Sequence, residues 1–324
     1  PSLVGSEMCI RDSSRFDPEE IERERQVIIE EINMSLDAPQ HQVSLLIDEL
    51  LWPNHPLGRD IVGSKESVAA ISREMLLDFQ AKQYLPANTV VSVAGDIEHG
   101  EVVELVSQVM GTWSNLKTPP DYLPYQPQPN PRLQLECRDT EQSHLCLGLP
   151  GLPFLHPKRF VLNLLNTILG EGMSSRLFLE VRDRLGLAYS IHSYLEHFQD
   201  SGSLTIYAGV EPRNLAVAIR SILRELAQLK EPVPEPELAK AKELAKGRLL
   251  LRMEDSRSVA GWAGAQEVLT GRVLSVEEVV AIIDAITAEE MAELARELFT
   301  SSELRLAVVG PVTAREHLEE LLVL

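Results

Sequence analysis

Two stretches of the chain, 215 residues apart, repeat one pattern without a gap. The repetition restricts the available folds more than any other feature, because whatever houses one copy must be built twice. The first copy, Ile71-Ser-Arg-Glu-Met-Leu-Leu-Asp-Phe, starts a helix with Ser72 as N-cap and apolar side chains at 75, 76 and 79. After a loop comes Thr89-Val-Val-Ser-Val-Ala-Gly95, which reads as a buried strand. The second copy, Ile286-Thr-Ala-Glu-Glu-Met-Ala-Glu-Leu, starts a helix with Thr287 as N-cap, and Leu304-Arg-Leu-Ala-Val-Val-Gly310 follows as strand. The constant shift maps Ile71 onto Ile286, Phe79 onto Leu294, Tyr84 onto Phe299 and Gly95 onto Gly310. Agreement in cap, core positions and terminal glycine is the mark of an internal duplication. Each copy then enters another helix, near Gly100 and near Thr313.

Between the copies lies TPPDYLPYQPQPNP, with prolines at 119, 120, 124, 127, 129 and 131. Prolines so spaced prevent helix and favour an extended connector. The reading is therefore a first lobe over 14–117, a Pro-rich linker over 118–131 and a second, duplicated lobe over 132–324. Residues 1–13 have no helical or strand period, end abruptly before the helix signal at Phe16-Asp17-Pro18, and read as a foreign leader. In the second lobe, strands are expected at 144–149, 187–194 and 203–209. Helices are expected at Arg159–Leu169, at Ser174–Leu185 (N-cap Ser174, ended by Gly186), and at about 213–229 and 235–254. Strands and helices without regular alternation give an α+β class, with two homologous lobes, each a mainly antiparallel sheet packed with helices.

Composition excludes some functions. The chain of 324 residues is 44% apolar, yet no uninterrupted apolar run approaches the ~18 residues of a membrane span. Acidic residues outnumber Lys and Arg by 49 to 30, for a formal charge of −19. That balance disfavours nucleic acid and anionic membrane as partners and suits cationic or unfolded peptides, though acidity also serves solubility. The three cysteines, Cys9, Cys137 and Cys146, form no Cys-x-x-Cys, so neither a disulfide framework nor a thiolate zinc knuckle is indicated. Cys137 and Cys146 read as core residues of strands.

In the helix Ile21–Ile32, Glu24 and Glu31 stand seven residues apart, within ~20° on one face. Val27 and Ile28 flank that line. A carboxylate beside apolar neighbours is costly unless it is paired or holds a cation. From the pattern alone, a solvated or salt-bridged role beside Arg23 and Arg25 is the leading reading. The histidines stand at 41, 55, 99, 144, 156, 192, 197 and 317, and none begins His-x-x-Glu-His. His192-Ser-Tyr-Leu-Glu196-His197 has one residue too many, and in a strand its two histidines would face opposite sides.

Several motifs agree in order with a known family. Glu22-Arg-Glu-Arg-x-Val-Ile-x-x-Glu31, Leu57-Gly58-Arg59-x-Ile-x-Gly63 and Asn88-x-Val-Val-x-Val-Ala-Gly95 resemble successive signatures of the pitrilysin/insulinase zinc peptidases, most closely their mitochondrial-processing-peptidase-like branch. Gly170-Glu-Gly-Met-Ser-Ser-Arg-Leu-Phe178 and Arg182-x-x-x-Gly186-x-x-Tyr189-Ser190 extend the resemblance to the end of the chain. The resemblance implies a zinc-dependent metalloendopeptidase acting on extended peptides, built from duplicated lobes, with an inverted His-x-x-Glu-His motif. It implies that Glu31 is the third zinc ligand and that Glu24 orients ligands from outside. It implies that Arg182 and Tyr189 donate hydrogen bonds to the substrate carbonyl or its oxyanion. It further implies a homo- or heterodimer with a related chain, in bacterial cytoplasm or periplasm rather than a mitochondrial matrix. The histidine motif is expected roughly 70–80 residues ahead of Glu31, upstream of the present sequence. The alternative is a non-catalytic, peptide-binding partner subunit of the same family.

Overall fold

The computed structural model describes residues 14–113, 122, 124–312 and 315–324. The expected leader, residues 114–121 and 123, and positions 313–314 lie outside the described residues. In chain order, the helices α1 (Pro18–Asp37), α2 (Pro39–Leu51), α3 (Lys65–Ala70), α4 (Arg73–Gln83) and α5 (His99–Met110) come first. Strands β1 (Leu133–Cys137) and β2 (Ser143–Pro150), helix α6 (Arg159–Gly170), and strands β3 (Ala188–His197) and β4 (Gly202–Val210) follow. Next come α7 (Leu215–Gln228), α8 (Glu235–Arg252), α9 (Ser256–Thr270), α10 (Val276–Ala285) and α11 (Ala288–Leu298), then β5 (Arg305–Gly310) and α12 (Arg315–Glu320).

These elements form two compact units. The first takes the chain to Ser35, Ile61–Leu123 and Ser256–Gly271; the second takes Leu36–Asp60, Pro124–Asp255 and Arg272–Leu324. The duplication is visible in both. Ser72 and Thr287 each accept a hydrogen bond from the backbone three residues on and cap α4 and α11. The helices then end on Tyr84 (φ −85°, ψ 77°) and Phe299 (φ −89°, ψ 75°), a matched exit. The spacing of 215 also brings α1 onto α8 and α2 onto α9, so the repeat is longer than its sequence signal. Yet α2 belongs to the second unit and its counterpart α9 to the first. The two copies have exchanged this helix.

The second unit holds one sheet, in the order β1-β5-β2-β4-β3, antiparallel throughout except where β1 runs parallel to β5. Helix α2 covers one face. Its Val43, Leu46, Ile47, Leu50 and Leu51 meet Cys146, Ala307 and Val309, and each such side chain contributes about 1.5–3 kcal/mol on burial. At Gly148 any side chain would collide with Ile47 and Leu51, so glycine lets the helix settle on the sheet. Trp52 closes this layer, its indole N–H donating to Ser201 Oγ over 2.8 Å and its ring set edge-on to Phe198. The opposite face receives α6, where Ser193 of β3 donates to Asn166 over 2.6 Å. Of the expected linker, 124–131 is neither helix nor strand and belongs to the second unit. Its Tyr125 hydroxyl donates to the Leu51 carbonyl, and the Asn130 amide donates to the Leu50 carbonyl.

Three expectations change. Residues 89–95 form no helix and pair with no strand among the described residues, and Val90, Val91 and Val93 are exposed. Valine favours extended backbone, but a strand also requires a neighbour to complete its hydrogen bonds, and only the β5 copy has them here. The helix expected from Ser174 instead begins after a turn in which Ser175 Oγ donates to the Gly172 carbonyl, and it widens to π-type turns over Phe178–Arg184. Cys146 is buried in a central strand, but Cys137 is exposed because it ends the edge strand β1.

Candidate functional site

In the second unit, Arg182 and Tyr189 are brought together by the way the π-type segment ends. Gly186 adopts φ 61°, and the Leu187 N–H reaches back to the Val181 carbonyl, closing the helix and starting β3 one residue before Tyr189. The Arg182 guanidinium lies 4.8 Å from the Phe178 ring centroid and 5.2 Å from that of Tyr189, so two aromatic rings hold one cation. The other arginines nearby are spent on carboxylates. Arg184 and Arg224 both bind Glu180, and Arg176 forms a two-pronged pair with Glu237 at 2.9 and 2.6 Å. Arg182 forms no ion pair among the described residues, and Tyr189 is 78% exposed. A cation with unengaged donors beside a free phenol can bind a carbonyl oxygen or an anion.

In the first unit, Glu24 and Glu31 lie on α1, both exposed and without hydrogen-bond partners among the described residues. The arginines that could have paired with them go elsewhere. Arg23 binds Glu20, and Arg25 binds Glu22 while its guanidinium also donates to the carbonyls of Val68 and Ile71. Glu24 borders an apolar hollow formed by Phe16, Ile21, Ile28, Val68, Ile71 and Leu76. Among the described residues no three His, Cys, Asp or Glu converge on a point. Glu31 alone does not make a zinc site, which needs three protein ligands even when catalytic. The described residues do not by themselves fit the metal.

The near-miss histidines have ordinary surroundings. His197 sits with its ring nitrogens 2.6 Å from the Leu152 carbonyl and 3.0 Å from Asn163 Oδ1. His192, on the other side of β3, lies against the ring of Tyr207, whose hydroxyl contacts His144 Nδ1 at 2.8 Å. Burial holds the His144 and His192 imidazoles below the usual histidine range. Sequence reading missed Asp48 of α2, the polar member of the helix's buried face. Burial, and then the charge of Glu196, push its carboxyl up to about 7. The signal was available as a carboxylate directly after Ile47 and three residues before Leu51, both on the helix's buried face.

Residues 70–244 match the family described as peptidase M16 inactive domain. A Mycobacterium leprae protein named as an uncharacterized zinc protease is 36% identical over 93% of this chain and 68% of its own length. The zinc protease YmxG of Bacillus subtilis, likewise named as uncharacterized, is also 36% identical, over 92% of this chain and 72% of its own. A solved protease from Helicobacter pylori shares the fold with a TM-score of 0.84 at 24% identity, covering 91% of this chain and 72% of that one. The chain therefore belongs to the M16 peptidase family.

Proposed function

We propose that the protein, in a form extended upstream of Ser14, is a zinc-dependent metalloendopeptidase that hydrolyses extended peptides. The observation that carries this reading is the pair Arg182 and Tyr189, a cation without a carboxylate partner beside an exposed phenol. Such donors stabilise the charge that develops on a scissile carbonyl oxygen. Glu31, left unpaired on α1, is the residue offered as a metal ligand, and Glu24 as its orienting neighbour. A peptide adding to a sheet edge would be read through its backbone, which tolerates varied sequence. Assembly with a second, related chain and a bacterial cytoplasmic or periplasmic setting belong to the same proposal.

A second reading, a non-catalytic peptide-binding subunit, is favoured by the matched model's description as an inactive domain. Metal analysis of the longer protein, alone and as Glu31→Gln, separates the two. Near-stoichiometric zinc that is lost in Glu31→Gln, with chelator-sensitive cleavage of an unstructured peptide, supports the enzyme. Absence of zinc from the intact longer protein rejects it in favour of the subunit.

A further inference from the structure

We propose that Glu180 is a positioning residue for Arg182, at the centre of a row of charges that fastens the π-type segment to α7. The row alternates in sign through Arg184, Glu180, Arg224, Glu225, Arg176 and Glu237. Arg184 and Arg224 both bind the Glu180 carboxylate. Arg224 Nε lies 3.7 Å from Glu225, and Arg176 closes the row on Glu237 with its two hydrogen bonds. Arg176 also joins Arg224 in countering the upward pull of burial on the Glu225 carboxyl. Arg176, Glu180 and Arg184 belong to the helical stretch that carries Arg182, Arg224 and Glu225 to α7, and Glu237 to α8.

The segment needs a fastening. Turns of the π type have poorer geometry than α-turns and persist only where their surroundings hold them. Here the Leu185 N–H donates to the Glu180 carbonyl, five residues back, over 3.0 Å. Within Phe178–Arg184 only Val181 is buried, so the core grips the segment at one point. Each residue of a π-turn advances less about the axis than the 100° of an α-helix. Relaxation to α-type turns would therefore swing Arg182 about the axis. Tyr189 belongs to β3, beside a break in its register with β4, and would not turn with it. The exposed cation–π contacts of Arg182 are weak restraints against such a swing.

Glu180 supplies the second grip. Its side chain is 16% exposed and that of Glu225 is 7%, so these charges are less screened than surface pairs, and they act as a network. One of its arginines lies on its own segment and the other on α7, which ties the wide turns to a neighbouring helix. Residues two apart on a helix do not face each other, so Glu180 holds the segment without occupying Arg182. The catalytic consequence rests on the proposed peptidase reading, in which Arg182 donates to the developing oxyanion. A donor out of place by about 1 Å costs roughly 100-fold in rate.

Arginine side-chain NMR of the 324-residue chain tests the positioning without reference to catalysis. The Arg182 signal, assigned by its loss in Arg182→Lys, should be displaced upfield by the rings of Phe178 and Tyr189. In Glu180→Gln that displacement should be lost, and in Arg224→Gln, which leaves Arg184 on Glu180, it should be reduced. The second variant decides the matter if the first does not fold. In the longer protein, Glu180→Gln should lower kcat by about 10–100-fold with KM changed less than about twofold, because the donor acts on the transition state. An Arg182 signal that stays displaced in a folded variant would overturn the inference. So would full kcat in a variant whose displacement is lost. A wild-type longer protein without peptidase activity would instead reject the proposed function, and the spectra alone would then decide whether Glu180 positions Arg182.

Discussion

Arg182 lies 5.2 Å from the ring centroid of Tyr189 and is also held by Phe178, yet it forms no ion pair among the described residues. Exposed cation–π contacts are worth roughly 0.5–1 kcal/mol each, too little to explain the arrangement as a fold requirement. In the longer protein Arg182→Lys should therefore change stability by less than about 1 kcal/mol. On the proposed function it should lower kcat/KM by about 100-fold, because Lys cannot reproduce the fixed fork of donors. Parallel urea melts and peptide-cleavage kinetics check both. A large loss of stability would return Arg182 to a structural role.

Asp48 supplies a pH dependence of unusual sign. Its folded pKa of about 7 lies above the ordinary 3.8, so the folded state holds the proton more tightly. Its favourable contribution is complete below about pH 4 and is lost as pH rises through 7, with an upper bound of roughly 4 kcal/mol. The depressed His144 and His192 act in the opposite sense, their contribution being lost as pH falls below 6.5. Asp48→Asn should stabilise the chain at pH 8 by about 1–3 kcal/mol and leave it little changed at pH 4. Urea denaturation across that range reads the difference; an unchanged profile would remove Asp48 from the account.

Trp52 and Ser201 make a buried hydrogen bond at the end of α2. Ser201→Ala leaves the indole N–H without its partner and should cost about 1–3 kcal/mol. Replacing Trp52 by Ala empties a site that is only 2% exposed and should cost about 3–5 kcal/mol. Denaturant midpoints followed by sheet circular dichroism measure both.

Gly310→Ala sets a methyl group 2.9 Å from Ser143 Cα, so β2 and β5 must separate. Overpacking of this kind costs about 1–3 kcal/mol. Faster exchange of the Leu306–Val309 amides is the expected signature, and unchanged exchange would mean the strands accommodate the methyl group.

The parts of the fold legible in sequence were those whose cause is local. Ser72 and Thr287 cap their helices where their spacing indicated, the runs at 144–149 and 203–209 are strands, and the run from Leu304 is strand over Arg305–Gly310. What failed depended on distant partners. Thr89–Gly95 has the residues of a strand but not the neighbours. The exchange of α2 and α9 leaves no trace in either helix, because an apolar stripe does not name the surface it meets. The π-type turns beside Arg182 have no signal in the sequence of Phe178–Arg184, where Val181 is the buried residue. For the site, motif resemblance supplied Arg182, Tyr189, Glu24 and Glu31. Their freedom from competing ion pairs depends on where Arg23, Arg25, Arg184 and Arg224 turn in the folded chain, which the motifs do not state.

The helix exchange also means that the proline-rich segment is a poor place to cut the protein in two. A polypeptide ending there would carry α2 away from the sheet it covers, stripping Cys146, Ala307 and Val309. The remaining polypeptide would keep α9, whose own unit had been removed. A single repeat made alone would face the same shortage, and two copies could relieve it only by lending each other a helix. Joining the copies in one gene makes that loan permanent and independent of concentration.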